Sequence, residues 1–445
     1  MPDRGSDGHN LIVRTIPLAD LETLAGLQPA DPDMFAWIRR GEGLLGWGIA
    51  AAHHFSGPER FSRAQRWWSR LCDRAAIRDD VNCPGSGPVA FASFGFEATP
   101  ARSVIAVPRF VVGLREGQAW FTTVQTAADP VSEDAGGSVA ASDNPTDIAA
   151  GLAMLSRMKA AHSQSGKKHE PGPVQWRHDP EGIQHWREGV ANAVGRINAG
   201  ELDKVVLARD VFARTAQPIA VAVLLSRLEA RYSDCWCFSV AGLVGATPEL
   251  LVRRSGDLVS SRVLAGTVRA SDDSGEAGRL AAKLLASDKD LAEHEYAVAS
   301  VAAALAAHCT DLDVPSQPSI LRLANVQHLA TDITGLLAVP TPVLALAASL
   351  HPTAAVCGTP TERARSLIQM LEAMDRDRYA GPVGWMDSNG DGEFGIALRC
   401  GQIDPADSRN IRLFAGCGIV AGSVPAAELV ESEAKLQPMR VALGT

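Results

Sequence analysis

The run WCFSVAGLVGATPELLVRRSGDLVSSRVLAGTV, residues 236–268, decides the fold class. Apolar positions recur with strand-like spacing in WCFSVAG, TPELLVRR and DLVSSRVLAGTV, so the pattern predicts successive strands with no crossover helix between them. Outward from it, HWREGVANAVGRINAGE (185–201) predicts a helix, KVVLARDVF (204–212) a strand and residues 218–231 a second helix. A long helix follows from about Asp288 to His308, and residues 381–400 predict a hairpin turning at SNGDG. NIRLFAGCGIVAGS (410–423) reads as a strand ending in a Gly-rich turn, and Ser423 with Pro425 opens a final helix. Strand pairs followed by helices, without strict βαβ alternation, predict an α+β protein with mainly antiparallel sheet.

The 445 residues are 46% hydrophobic and 21% charged, which excludes a disordered chain. Upstream, FSRAQRWWSRLCDRA (61–75) reads as helix, and VAFASFGF (89–96) and SVIAVPRFVVGL (103–114) as strands. Residues 126–147 and 165–173 are rich in Gly, Ser, Asp and Pro without periodicity, so a flexible loop is expected over about 126–173. The expected division is an N-terminal part, 1–175, and a catalytic region, 176–445, within one intertwined unit. A formal net charge of −9 argues against a nucleic-acid binder, which needs a basic face. The first residues lack a signal-peptide pattern, and the apolar stretch 296–307 is too short to span a membrane, so a core helix is expected there. Eight scattered cysteines look unlike a secreted disulfide framework and point to buried thiols in a reducing cytosol.

Several residues carry candidate chemistry. Asp290 and Glu293 share a helix face; in isolation they read as first-turn acids, with Ser287 as N-cap and Asp290 in the capping-box position. Glu428 and Glu431 repeat the spacing, and Lys435 four residues on reads as a solvated ion-pair partner. If the two carboxylate pairs converge, they make a hard oxygen site of the Mg²⁺ type. DSNGDG (387–392) matches half of a calcium loop, but Leu398 stands where the bidentate Glu belongs. GCGIVAG (416–422) is closer to a nest of backbone N–H groups for a carboxylate than to a dinucleotide loop. Lys204 and Glu249, each at a strand start, would by themselves be expected to reach solvent.

Together, DKVVLARD (203–210), GATPELL (245–251), LAGTVR (264–269), SDKDLAEHEYAV (287–298), VQHLATDITG (326–335), HPTAAVCGTP (351–360), YAGPVGW (379–385), GEFGIALR (392–399), FAGCGIVAGS (414–423) and ELVESEAKL (428–436) resemble, in order, the motifs of the chorismate-utilising enzymes. That group includes isochorismate, salicylate and anthranilate synthases. The resemblance is dense over 176–445, and LARD, HPTAAVCGTP and GIVAGS look most like isochorismate synthases of the menaquinone and siderophore type.

The resemblance implies two stacked, mainly antiparallel sheets between helical layers (α/β/β/α), and a deep Mg²⁺-dependent site. Glu293 and Glu431 match the metal-ligand positions, with Asp290 and Glu428 as nearby carboxylates; Asp290 stands where several relatives carry Glu. Lys204 matches the general base and Glu249 the general acid. Tyr379, Arg399, Lys435 and the backbone of Gly416 and Gly418 match contacts to the substrate carboxylates, and His328 and Thr353 lie near the ring. Such an enzyme converts chorismate to isochorismate: water adds at C2 while the C4 hydroxyl leaves. Salicylate synthase, which also eliminates pyruvate, and a catalytically dead chorismate- or partner-binding relative are the alternatives. With no glutamine-amidotransferase motif fused, no amidotransferase subunit is expected, and a cytoplasmic monomer is the expected form.

Overall fold

Residues 236–268 form four strands, one more than the alternation indicates. Ala241 and Gly242, at φ 50° and 78°, make a two-residue turn with both residues left-handed, and LVGAT returns as a strand. Such turns usually announce themselves as Asn-Gly or Asp-Gly, which is why an Ala-Gly pair conceals the hairpin.

The computed structural model describes residues 9–27, 29, 33–100, 102–128, 145–164, 172–271, 273–324 and 326–445. Its first elements are β1 (His9–Leu18), β2 (Met34–Arg39), β3 (Glu42–Phe55), α1 (Arg60–Asp73), β4 (Ala76–Asp79), β5 (Val89–Ser93), β6 (Ser103–Arg115) and β7 (Gln118–Ala128). Next come α2 (Pro145–Gln164), β8 (Val174–Trp176), α3 (Pro180–Asn198), β9 (Lys204–Thr215), α4 (Val221–Arg231), β10 (Trp236–Val240), β11 (Leu243–Thr247), β12 (Leu250–Ser255) and β13 (Leu258–Arg269). Then follow α5 (Ser274–Leu285), α6 (Asp288–Ala306), β14 (Cys309–Asp313), β15 (Ser319–Arg322), β16 (Val326–Leu337), α7 (Val343–Leu350), β17 (Gly358–Thr359) and α8 (Thr361–Leu371). The last are β18 (Pro382–Asp387), β19 (Gly392–Ile396), β20 (Cys400–Ile403), β21 (Asn410–Ile419) and α9 (Pro425–Leu443).

Pairings run β4–β1–β7–β6–β3–β2–β10–β11–β20–β21–β9 in one sheet, with β8 and β17 at opposite ends of the outer edge of β9. The second sheet runs β5–β18–β19–β12–β13–β16, with β14 and β15 on β16. Long β6 belongs to both: Ala106 faces Ala52 on β3 and Phe91 on β5. Among the described strands, only β1 with β4 is parallel. Phe35 of β2 and Phe91 of β5 meet with ring centroids 5.5 Å apart, so the sheets stack face to face. Glu393 of β19 ties them further, accepting both Trp37 Nε1 and Trp236 Nε1 at 3.0 Å.

Helices cover both outer faces. Leu224, Leu228, Leu436 and Met439 of α4 and α9 pack on Val244 and Leu413 of the first sheet. Ala297, Val301 and Leu305 of α6 pack on Val263 and Ile333 of the second. The order is therefore α/β/β/α. Helix α6 starts where its cap dictates: Ser287 Oγ accepts the Asp290 N–H and donates to Asp290 Oδ2. No described helix is long and apolar enough to cross a membrane.

Inside the span 126–173 expected as loop, β7 continues to Ala128 and α2 occupies Pro145–Gln164. Alanine and methionine spread over every face of α2, and this leaves no 3.6-residue stripe to read. Positions 129–144 and 165–171 lie outside the described residues.

Phe91 is wholly buried at the inter-sheet contact. Phe91→Ala should cost about 3–5 kcal/mol of stability, read as a shifted denaturation midpoint. A loss under about 1 kcal/mol would mean the sheets share no tight core at that point.

Candidate active site

Beside β9 and β21 the stacked sheets open into a cleft of about 920 Å³, counted with its mouth. Glu249 enters from the β11–β12 connection, Asp290 and Glu293 from α6, and His328 from β16; Tyr379 and Arg399 flank β18 and β19; Gly416 and Gly418 come from β21, and Glu428, Glu431 and Lys435 from α9. All these residues line the one cleft. Lys204 and Thr353 stand behind its wall. Thr353 is buried in the turn before β17, where its carbonyl accepts the Val356 and Cys357 N–H groups. Its Oγ1 has no hydrogen-bond partner among the described residues.

Lys204, which strand position alone would send to solvent, is 0% exposed. Its Nζ lies 3.0 Å from Glu293 Oε1 without hydrogen-bond alignment, an ion pair joining β9 to α6. Gly418 permits the approach. A Cβ at that position would lie 2.3 Å from Glu293 Oε1 and 3.1 Å from Lys204 Cε. Glu249 is also buried, against the same expectation. Burial pushes its carboxyl up to about 8, only partly opposed by Lys204, the Leu264 N–H, Lys435 and Arg399, so it is largely protonated at neutral pH.

Cationic groups line the same cleft. Lys435 Nζ donates to the Gly416 carbonyl at 2.8 Å and pairs with Glu431 Oε1 at 2.7 Å. Burial is the largest single effect and opposes its charge, but the Glu431 carboxylate and its other neighbours together outweigh it and hold its pKa above the usual lysine range. Arg399 Nη2 points at His328 Nε2, 3.4 Å away. Burial first, then Arg399 and Lys435, push His328 well below its ordinary value, so the ring is neutral and Nε2 accepts. Its Nδ1 then faces Thr267 Oγ1 at 3.0 Å. The Tyr379 ring stacks on Phe414 at 5.1 Å.

The β9–β21 ladder sets the backbone donors. The Val206 and Ala208 N–H groups point to the outer edge of β9, to Cys357 O and Glu372 Oε1. Their opposite residues, Gly418 and Gly416, are therefore non-hydrogen-bonded partners whose N–H groups turn away from β9. On that side β20 pairs no further than Leu413, so both N–H groups lie beyond its end, beside the cleft.

The donor chemistry fits a hard divalent cation. Glu293, Glu428, Glu431 and Asp290 line the cleft, and carboxylate oxygens are the donors Mg²⁺ takes. Donor atoms of Cys417, Glu428 and Glu431 lie within 4.8 Å of one another. Burial raises the Cys417 thiol, which keeps its proton and donates to the Glu428 carbonyl at 3.3 Å, leaving the carboxylates as the ligand set. Cys417, Thr267, Phe414 and Arg376 also belong to the site; the first three lie inside the motifs FAGCGIVAGS and LAGTVR without a role assigned to them there, and Arg376 lies outside every quoted motif.

The family model described as chorismate binding enzyme matches residues 7–444. Isochorismate synthase DhbC of Bacillus subtilis is 41% identical over 293 residues, 63% of this chain and 71% of that protein. The salicylate biosynthesis isochorismate synthase of Pseudomonas aeruginosa is 32% identical over 96% of this chain and 88% of its own. The solved structure of MenF, the menaquinone-specific isochorismate synthase from Escherichia coli, superposes with a TM-score of 0.73 at 26% identity, covering 98% of this chain and 95% of that one. With its fold and nearly its whole length matched, the chain belongs to the family of chorismate-binding enzymes.

Proposed function

We propose that the protein is an isochorismate synthase, an isomerase that converts chorismate to isochorismate. The observation that carries this reading is the pairing, at one cleft, of a carboxyl held protonated at neutral pH, Glu249, with a lysine wholly withdrawn from solvent, Lys204. An exchange of hydroxyl groups on a ring needs one group to take a proton from water and another to give one to the departing hydroxyl.

In this reading the substrate dianion is held by Arg399, by the Gly416 and Gly418 N–H groups and by Tyr379, with neutral His328 beside the ring. Glu293 and Glu431 would hold Mg²⁺, with Asp290 and Glu428 as the nearby carboxylates. When bound, Mg²⁺ supplies positive charge against a substrate carboxylate, which a protein of net charge −9 otherwise lacks on its acidic wall. Lys204 acts in its neutral form, with its ion pair to Glu293 given up, and accepts a proton from the water whose oxygen bonds to C2. Glu249 donates its proton to the C4 oxygen as that C–O bond breaks and water leaves. One water enters and one departs, so the conversion is a net isomerisation. Because the nucleophile is water, no amidotransferase subunit is needed.

Protein treated with chelator should lose turnover and recover it on adding Mg²⁺, and Glu431→Ala should not recover at the same Mg²⁺ concentration. Undiminished turnover in excess chelator would remove the metal from the scheme.

Lys204→Ala and Glu249→Gln should each lower kcat by about 10²–10⁴-fold with little change in KM. The acid form of Glu249 disappears as pH rises through about 8, so kcat/KM should fall there. That limb should be absent from the residual activity of Glu249→Gln. A raised KM at wild-type kcat would make either residue a binding group instead.

A further inference from the structure

Strand β9 is paired with β21 along one whole edge, but the described strands on its other edge are only β17, at Lys204 and Val205, and β8, at residues 213–215. Buried backbone groups between those contacts need partners. They find them in a turn and in two side chains. Cys357 O accepts the Val206 N–H at 2.8 Å, Glu372 Oε1 accepts the Ala208 N–H at 2.7 Å, and Arg376 Nη2 donates to Val206 O at 2.7 Å. Glu372 and Arg376 are joined by two bonds, Nε to Oε2 at 2.9 Å and Nη2 to Oε1 at 2.5 Å, and both side chains are 2% exposed. The pair thus stands in for the strand that β17 fails to continue.

Arg376 reaches further. Its Nη1 donates to Val356 O at 2.8 Å, in the turn from Thr353 to Cys357, and its guanidinium lies 4.3 Å from the centre of the Phe96 ring. Its own carbonyl accepts the Tyr379 N–H at 2.9 Å. Arg376 lines the cleft, yet its charge is answered by Glu372 and its donors are committed to protein acceptors. It therefore differs from Arg399, whose guanidinium meets the His328 ring at 3.4 Å. What Arg376 holds together are three separate parts of the cleft wall: β9 with Lys204, the turn with Ala355 and Val356, and Tyr379.

We propose that the Arg376–Glu372 pair is a positioning device that fixes the distance between β9 and the 353–357 turn, and so places Lys204 relative to the substrate ring. This rests on the isochorismate synthase reading given above. A displacement of about 1 Å at a reacting group costs about 10²-fold in rate. Lysine at 376 keeps the charge beside Glu372, but its single ammonium cannot span Val206 O, Val356 O and both carboxylate oxygens.

The test is steady-state turnover of chorismate with Mg²⁺ by wild type, Arg376→Lys, Glu372→Gln and Phe96→Leu, each well below its own measured unfolding temperature. Phe96→Leu keeps both charges and only loosens the packing behind the guanidinium, so it remains informative if the other two fail to fold. Arg376→Lys and Glu372→Gln should lose about 10–100-fold in kcat with KM within about 3-fold of wild type. Phe96→Leu should shift in the same direction by a smaller factor. Wild-type kcat in folded variants, with only a lowered unfolding temperature, would overturn the proposal and leave the pair a stabilising contact. A KM raised about tenfold or more at unchanged kcat would overturn it in favour of direct substrate binding. Should wild type itself form no isochorismate, the functional reading fails, whatever the variants do.

Discussion

The ion pair between Lys204 and Glu293 is the contact on which the site depends, because it joins the two halves of the molecule at the point where the chemistry is proposed to occur. Lys204 begins β9 of the first sheet and Glu293 projects from α6, which covers the second. A buried pair of this kind repays little of its desolvation cost and is weak evidence for stability. Its presence is better understood as a requirement of function, and the surrounding sequence accommodates it. Gly418 leaves the space that the Glu293 carboxylate and the lysine stem occupy. The two-residue β17 and the Arg376–Glu372 pair hold the β9 backbone from the other side.

Charge is distributed around this contact by burial as much as by residue type. The protein is acidic overall, and its cleft holds Asp290, Glu293, Glu428 and Glu431, yet a dianion has to enter. Burial neutralises Glu249 and His328, and this removes one negative charge and keeps a ring nitrogen available as an acceptor for Arg399. Lys435, by contrast, keeps its charge because Glu431 lies 2.7 Å from it. The result is a cleft in which carboxylates suited to a divalent cation lie beside Arg399, Lys435 and backbone N–H groups suited to carboxylates.

Much of this arrangement could be read from local sequence. Most strands of 204–268 show themselves by alternation, and α6 by an N-cap that the structure reproduces at Ser287, whose Oγ accepts the Asp290 N–H. The α/β/β/α layering and the family followed from ordered motifs, not from any single pattern. Other features lay beyond local reading. Burial of Lys204 and Glu249 is decided by what packs over them from distant segments, so a rule about strand-end charges misplaces both. Arg376 and Arg378 look alike in DRDRYAG; only tertiary contacts separate them, the second donating to the Val240 and Ala241 carbonyls. Helix α2 and the Ala-Gly hairpin escaped because one lacks a hydrophobic stripe and the other lacks the usual turn residues.

The central claim is that the cleft brings water to one face of the substrate ring with a base, while an acid releases the hydroxyl elsewhere on it. The most direct measurement is turnover of chorismate with Mg²⁺ in ¹⁸O-enriched water, followed by mass spectrometry of the product. Isochorismate carrying one solvent oxygen, at C2, is the expected result, with no pyruvate released. Isochorismate without solvent oxygen would contradict the roles given to Lys204 and Glu249, and release of pyruvate matching chorismate consumed would assign the protein a different final product.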